Sequence, residues 1–296
     1  MKLGVAGRLP RLDEPLPAFL PGDWRLITAE DAARVRGHGF VGSSLFINKP
    51  LEAAPADVKR VGQAFKDGGL EIAQLNGWYE AICSYDDVLR AQGVAGMIAL
   101  ARIGAMLKAP SVYVRPGGHN PNGHWYAHPE NHTQRTFDNV VDSLKQICKI
   151  AEQEGVFIAV EGHVLSCLDT PQRIRELVDA VGSPALKFNY DPVNFTGSVK
   201  QVHDTRIILK QLKELMGPFT IAAHAKDCAL GDELVLHIKE VVPGTGTMNY
   251  EMFMKDFQQL SPEGYFIIEH LPDAETLQAQ KNVVALAKLY NVPLES

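Results

Sequence analysis

The sequence predicts an α/β fold, a single closed parallel (β/α)8 barrel over residues 1–296, and three observations predict it. Eight short β-like runs alternate with longer segments of helical apolar spacing from end to end. No linker-like or low-complexity stretch interrupts the alternation. The rival, a doubly wound open sheet, normally carries a glycine-rich phosphate turn after its first strand, and "AGRLPRLDEP" has no GxGxxG.

In order, the strand runs are "KLGVAG", "FVGSSLFI", "EIAQLNG", "SVYVRPG", "VFIAVEG", "ALKFNYD", "FTIAAHA" and "YFIIEHL". Helical spacing fills the intervals, as in "DVKRVGQAFKDGG" and "FDNVVDSLKQICKIAEQEG". Gly68–Gly69, Gly155, Gly182 and Gly217 stand where such helices stop, and Thr28, Thr170 and Asp273 where they are capped at the start. Two connections are longer than architecture requires. Residues 8–27 carry Pro10, Pro15, Pro17 and Pro21 with Phe19 and Trp24, and residues 115–132 read "RPGGHNPNGHWYAHPENH". Both follow strands and are expected over the C-terminal face, where barrels of this kind do chemistry. An insert after the seventh strand, "LGDELVLHIKEVVPGTGTMNY", predicts a small hairpin before its helix. Its "PGTGTMNY" lacks the GK[ST] ending of a phosphate loop and reads as a turn and helix start.

With 46% hydrophobic and 22% charged residues the chain can bury a sizeable core. A formal charge of −6 argues against a nucleic-acid surface, which carries a basic stripe. Cys83, Cys148, Cys167 and Cys228 form no CxxC pair and are expected as reduced thiols in or near the core. The N-terminal apolar run is too short for a signal peptide. The most apolar helical stretch, "VAGMIALARIGAMLKA", is interrupted by Arg102 and Lys108 and is expected to fall short of a membrane span. The expected compartment is the cytoplasm.

The candidate chemistry lies at strand ends. The fifth run delivers Glu161, the sixth Asp191, the seventh His224 and the eighth Glu269. In a closed barrel these tips share one rim and point to a common axis. Each alone has an ordinary explanation: Asp191 as a turn residue before proline, Glu269 as a helix cap, His224 as a satisfied core histidine. Together, three crowded carboxylates would repel one another unless a positive group sits among them. One divalent cation solves this with three oxygens and one imidazole nitrogen, a set suited to manganese, magnesium, cobalt or zinc; manganese is the expected cofactor.

The order Glu, Asp, His, Glu on strands five to eight, with "HAKD" and the "PGTG…Y" segment, resembles the xylose-isomerase-like TIM barrels of the sugar isomerase and epimerase type. Ketose 3-epimerases, hydroxypyruvate isomerases and inosose dehydratases are among them. The resemblance implies that Glu161, Asp191, His224 and Glu269 bind one divalent metal and that Glu161 and Glu269 double as the acid/base pair. The implied activity is isomerisation or epimerisation of a small sugar, ketose or keto-polyol by proton transfer through a metal-bound enediolate. Where ketose epimerases commonly carry a histidine three positions after the Asp and an arginine six after the His, this chain has Asn194 and Leu230; Cys167 replaces a frequent glutamate.

Around the metal, Arg115, His163, Asn194, Lys226, Asn76 and Trp125 are the candidates for binding substrate, with Arg8 and Trp78 beside them. His119 is a candidate third proton-transfer group. His124, His128 and His132 are read equally well as surface residues, Trp78 as packing, and Lys226 as a partner of Asp227 in a solvated turn. The alternative function is a metal-dependent lyase, a dehydratase or β-eliminase on a keto-sugar or keto-inositol. A remote one is an endonuclease IV-like phosphodiesterase, which needs more histidine ligands on earlier strands; a non-catalytic sugar-binding barrel is a third. The partner is a small molecule, without nucleic acid or membrane, and a homo-oligomer is compatible with the fold.

Overall fold

In the computed structural model the described residues are 1–6, 19–77 and 81–296. Arg8, Trp78, Pro10, Pro15 and Pro17 lie outside them, as does much of the first long connection.

Each of the eight predicted runs contains a stave: β1 (Lys2–Val5), β2 (Gly42–Ile47), β3 (Glu71–Gly77), β4 (Val112–Val114), β5 (Ile158–Val160), β6 (Leu186–Tyr190), β7 (Thr220–His224) and, after a hairpin of β8 (Asp227–Leu230) and β9 (Ile238–Val241), β10 (Tyr265–Ile268). The staves close in the order β1-β10-β7-β6-β5-β4-β3-β2, with every neighbouring pair parallel. Side chains alternate along a strand, so each stave supplies two cores. On β10, Phe266 and Ile268 join the large core under the helices. Tyr265 and Ile267 instead cluster with Val41 and with Ala73 of β3, which is no neighbour of β10 in the sheet, so they meet it across the barrel interior. Glu269 continues that inward parity and is delivered to the mouth.

Around the staves run α1 (Ala29–Gly37), α2 (Pro55–Asp67), α3 (Asp87–Leu107), α4 (Gln134–Glu154), α5 (Pro171–Val181), α6 (Val199–His203), α7 (Arg206–Met216), α8 (Tyr250–Leu260) and α9 (Asp273–Leu289). Thr28 caps α1 in a reciprocal box with Asp31, and Thr170 caps α5. Gly155 and Gly182 end α4 and α5 at φ +68° and +66°, a backbone region that disfavours a Cβ.

Four expectations are corrected. The cap of α9 is Pro272, and Asp273 is its first helical residue, placed with Glu275 where the helix dipole favours anions. The segment after β6 forms two helices rather than one, because the Thr205 hydroxyl between them is used to bond Thr247 O and Asn249 N. By length and composition α3, at 21 residues, is long and apolar enough to cross a bilayer. Its apolar side is partly used by the barrel, where Val94, Met97, Leu100, Ala101 and Ile103 are buried.

The hairpin starts three residues earlier than predicted, and the reason is Asp227. Its buried carboxylate accepts backbone N–H groups from Cys228, Gly244, Gly246 and Met248, at 2.8–2.9 Å. The "PGTGTMNY" turn is wrapped around a side chain of the chain itself. Gly246 is required there, since a Cβ would lie 2.4 Å from Asp227 Oδ1. All four cysteines are free and buried, as expected.

The Asp227 cradle predicts that Asp227→Ala, which strands four backbone amides, two of them buried, lowers unfolding stability by about 3 kcal/mol or more, with Asp227→Asn losing less. Urea unfolding of the two variants against wild type checks the order.

Candidate metal centre

The barrel order places β5, β6, β7 and β10 side by side, and their C-terminal ends carry Glu161, Asp191, His224 and Glu269. One donor atom from each lies within 4.8 Å of the others. All four are buried, Asp191 at 0% exposure and Glu269, the most open, at 8%. The imidazole stands between the glutamates, with His224 Nδ1 2.8 Å from Glu161 Oε1, 2.9 Å from Glu269 Oε1 and 3.6 Å from Asp191 Oδ2.

Lys226, two residues beyond the histidine, completes the charge set. Its Nζ lies 2.7 Å from Asp191 Oδ2 and 2.8 Å from Glu269 Oε1, and donates to Asn194 Oδ1 at 3.2 Å. Lys226 therefore faces inward, and the expected alternative of a solvated pair with Asp227 does not hold.

Electrostatics in this buried volume are strong. Burial disfavours the charged form of Glu269, yet His224, His270 and Lys226 hold its pKa well below the usual carboxylate range. Burial likewise works against charge on Asp191, where Lys226 and His224 pull the pKa down. His224 would be lowered by burial, but Glu269 and Glu161 hold it well above its ordinary value. Lys226 follows the same pattern, raised by Asp191 and Glu269.

These charges are close without being bonded in line. Asp191 Oδ2 and both ring nitrogens of His224 are buried atoms without a hydrogen-bond partner. Orphaned donors at the centre of a buried carboxylate–imidazole set are what a cation position looks like from the protein side. Three oxygens and one nitrogen fit a divalent ion, and binding would require His224 to give up its proton.

A family model described as the xylose isomerase-like TIM barrel matches residues 32–288, most of the chain. The chain belongs to that family. Solved xylose isomerase-like barrels superpose on it at low sequence identity, which shows the shared fold. The 3-keto-D-glucoside 4-epimerase of E. coli is 15% identical, with TM-score 0.68, and the match covers 96% of this chain and 99% of that one. The probable 3-DHS dehydratase of Bacillus anthracis involved in petrobactin synthesis is 18% identical at TM-score 0.68, with 97% and 99% covered. A Mycobacterium smegmatis xylose isomerase-like TIM barrel protein in complex with magnesium is 16% identical at TM-score 0.69, with 89% and 88% covered. A sequence comparison with curated proteins found no match.

Within this xylose isomerase-like barrel the other predicted residues fall into three groups. Lys226 and Asn194 join the four, the latter also through its backbone N–H to Asp191 Oδ1 at 3.3 Å. Arg115, Trp125 and His163 form a second group. The guanidinium lies 5.1 Å from the Trp125 ring centroid, the indole meets the His163 ring edge-on at 5.8 Å, and His163 Nδ1 accepts from Leu165 N. On β3, Asn76 is 6% exposed and its Oδ1 has no hydrogen-bond partner.

The loop histidines lie in local contacts. His119 Nε2 is 2.9 Å from Thr136 Oγ1 and its ring packs on Tyr85 at 4.2 Å; these contacts hold it within the loop and do not join it to the four. His124 Nδ1 meets Gly118 O, His128 Nδ1 accepts from Glu130 N, and His132 Nδ1 faces Asp169. Asn131 ties the loop down, accepting from His119 N and donating to Tyr126 O and Leu165 O.

Three site residues were missed in the sequence. Tyr113 donates to Glu161 Oε2 at 2.7 Å, and Asn189 Nδ2 donates to Glu161 Oε1 at 2.8 Å. Strand parity would have found Asn189, two residues before Asp191 and on the same face. His270, at φ +65°, has Nε2 3.4 Å from Glu269 Oε1 and Nδ1 3.3 Å from Glu240 Oε2 on β9.

If this cluster is a cation site, manganese added to chelator-treated protein raises its unfolding stability, by about 2.7 kcal/mol at a hundredfold excess over the dissociation constant. Lys226→Met, which leaves buried carboxylates uncompensated, lowers metal-free stability by about 3 kcal/mol and enlarges the gain on adding manganese. Urea titrations with and without the ion read both effects.

Proposed function

We propose that the chain is a divalent-metal-dependent isomerase or epimerase of a small sugar, ketose or keto-polyol. The single observation that carries this is the pair of glutamates converging on His224 from opposite sides, one from the adjacent stave β10 and the other from β5, two staves away, in a set able to hold a cation. The epimerase among the structural neighbours supports the reaction class.

The carbon acid beside a ketone gives up its proton only to a base held within hydrogen-bond reach, and the product needs a second group to return it. Glu161 and Glu269 are placed to act as that pair, one taking the proton and the other giving it back. Return to the opposite face of the same carbon is epimerisation, and return to the neighbouring carbon is isomerisation. The cation, held by Glu161, Asp191, His224 and Glu269, would supply Lewis-acid stabilisation of the negative charge that develops on the substrate oxygens. Lys226 brings a further positive charge to the same place. Arg115, His163 and Asn76 are assigned to substrate oxygens, and Trp125 to a sugar face. Its four unpaired thiols support a reducing, cytoplasmic setting.

A metal-dependent lyase is the second reading. It is favoured by the positions where ketose epimerases carry a histidine and an arginine: Asn194 is engaged with Lys226, and Leu230 lies on the hairpin strand β8. Either reaction begins with the same proton abstraction.

Incubation with a panel of ketoses and keto-inositols in heavy water, with manganese added, separates the two. Deuterium is expected in recovered epimers or isomers, and release of water or of a glycosidic oxygen would assign a lyase instead. Glu161→Gln and Glu269→Gln are each expected to cut turnover by about 10²–10⁴-fold. Unchanged turnover in both variants would remove the acid/base assignment.

A further inference from the structure

We propose that Tyr113 and Asn189, with Gln74 behind Asn189, are positioning residues that hold Glu161 so that Oε1 alone faces the cation position. The proposal rests on the metal reading above and deepens it.

The two carboxylate oxygens of Glu161 have different surroundings. Oε2 accepts the Tyr113 hydroxyl at 2.7 Å. Oε1 accepts Asn189 Nδ2 at 2.8 Å and is also the oxygen 2.8 Å from His224 Nδ1. One oxygen is therefore turned into the cluster and the other toward β4. A carboxylate free to rotate could present both oxygens to a cation and leave none for proton transfer; two donors on opposite oxygens oppose that rotation.

The polarity of the support is forced. An ionised carboxylate only accepts, so Asn189 must offer it the NH₂ group, and its own carbonyl is left to accept. Gln74 Nε2 donates to Asn189 Oδ1 at 3.1 Å and lies 3.4 Å from Ser111 Oγ. The chain of donors thus runs in one direction, from β3 through β6 to β5. Asn189, Gln74 and Ser111 are at most 1% exposed and Tyr113 is 7% exposed, so bulk water is no ready substitute for a deleted donor. The Tyr113 ring also lies along the His224 ring, with centroids 5.9 Å apart and planes 30° apart. Glu269 is held differently, by the charges of His224, Lys226 and His270. His224 touches both glutamates; the neutral donors Tyr113 and Asn189 are added on Glu161, and the charges of Lys226 and His270 on Glu269.

The test is manganese affinity measured by calorimetry on the full chain, beside the unfolding midpoint in chelator. Tyr113→Phe and Asn189→Leu are each expected to weaken manganese binding by about tenfold or more, and Gln74→Met by a smaller factor. Tyr113→Phe, which keeps the ring, should leave the metal-free midpoint within about 3 °C of wild type. In an E161Q background the Tyr113→Phe effect on affinity should largely vanish, because the hydroxyl acts through that carboxylate. Unchanged affinity in Tyr113→Phe, or a loss of the same size with and without Glu161, would overturn the proposal. Wild-type protein that binds no manganese would instead overturn the metal reading on which it stands.

Discussion

Like charges packed together in a buried volume are the constraint around which this molecule is organised. Glu161, Asp191 and Glu269 are nearly solvent-free at one rim, and each buried ion carries a desolvation penalty of several kcal/mol. Only opposite charge at short range can offset it. The chain supplies an imidazole and an ammonium, His224 and Lys226, both from the short stretch that ends β7. The offset is incomplete in geometry, since the central atoms lie close without aligned bonds. The closed sheet is what makes such crowding possible, because four adjacent staves bring the four side chains to one rim.

Support for the cluster comes from the barrel interior and from the rim by different physical means. Inside, neutral amides and hydroxyls run from Gln74 through Asn189 to Glu161 and give direction without adding charge. At the rim, His270 takes a left-handed backbone that non-glycine residues seldom adopt, and its ring lies between Glu269 and Glu240. The hairpin thereby reaches the mouth through Glu240. Its base is closed by Asp227, whose amide cradle begins one residue after Lys226.

Much of this was legible in the chain, and what was not has identifiable causes. The eight staves were readable because each is a short apolar run bounded by turn residues, and the four cluster residues because a carboxylate or imidazole at a buried strand end is chemically out of place. Tyr113 and Asn189 were not singled out, since an aromatic and an amide inside a strand read as packing until parity is followed into the barrel. His270 depends on a backbone twist that composition does not encode. The loop histidines drew attention by type, but their partners are Thr136, Gly118 O, Glu130 N and Asp169, a set of contacts decided by how the loop folds against α4 and the segment before α5. Asp227 looked like an ordinary turn residue because its four amide partners come from its own neighbour and from residues 17–21 positions away.

The rooted hairpin has a bearing on how such a scaffold diversifies. Its base is clamped by Asp227, directly after Lys226, while its tip holds Leu234, Val235 and Leu236 out in water. An outgrowth anchored at the root and loose at the crown can be lengthened, trimmed or recharged over generations without moving the staves beneath it. The barrel mouth can thus acquire a new rim while the buried quartet of Glu161, Asp191, His224 and Glu269 keeps its place.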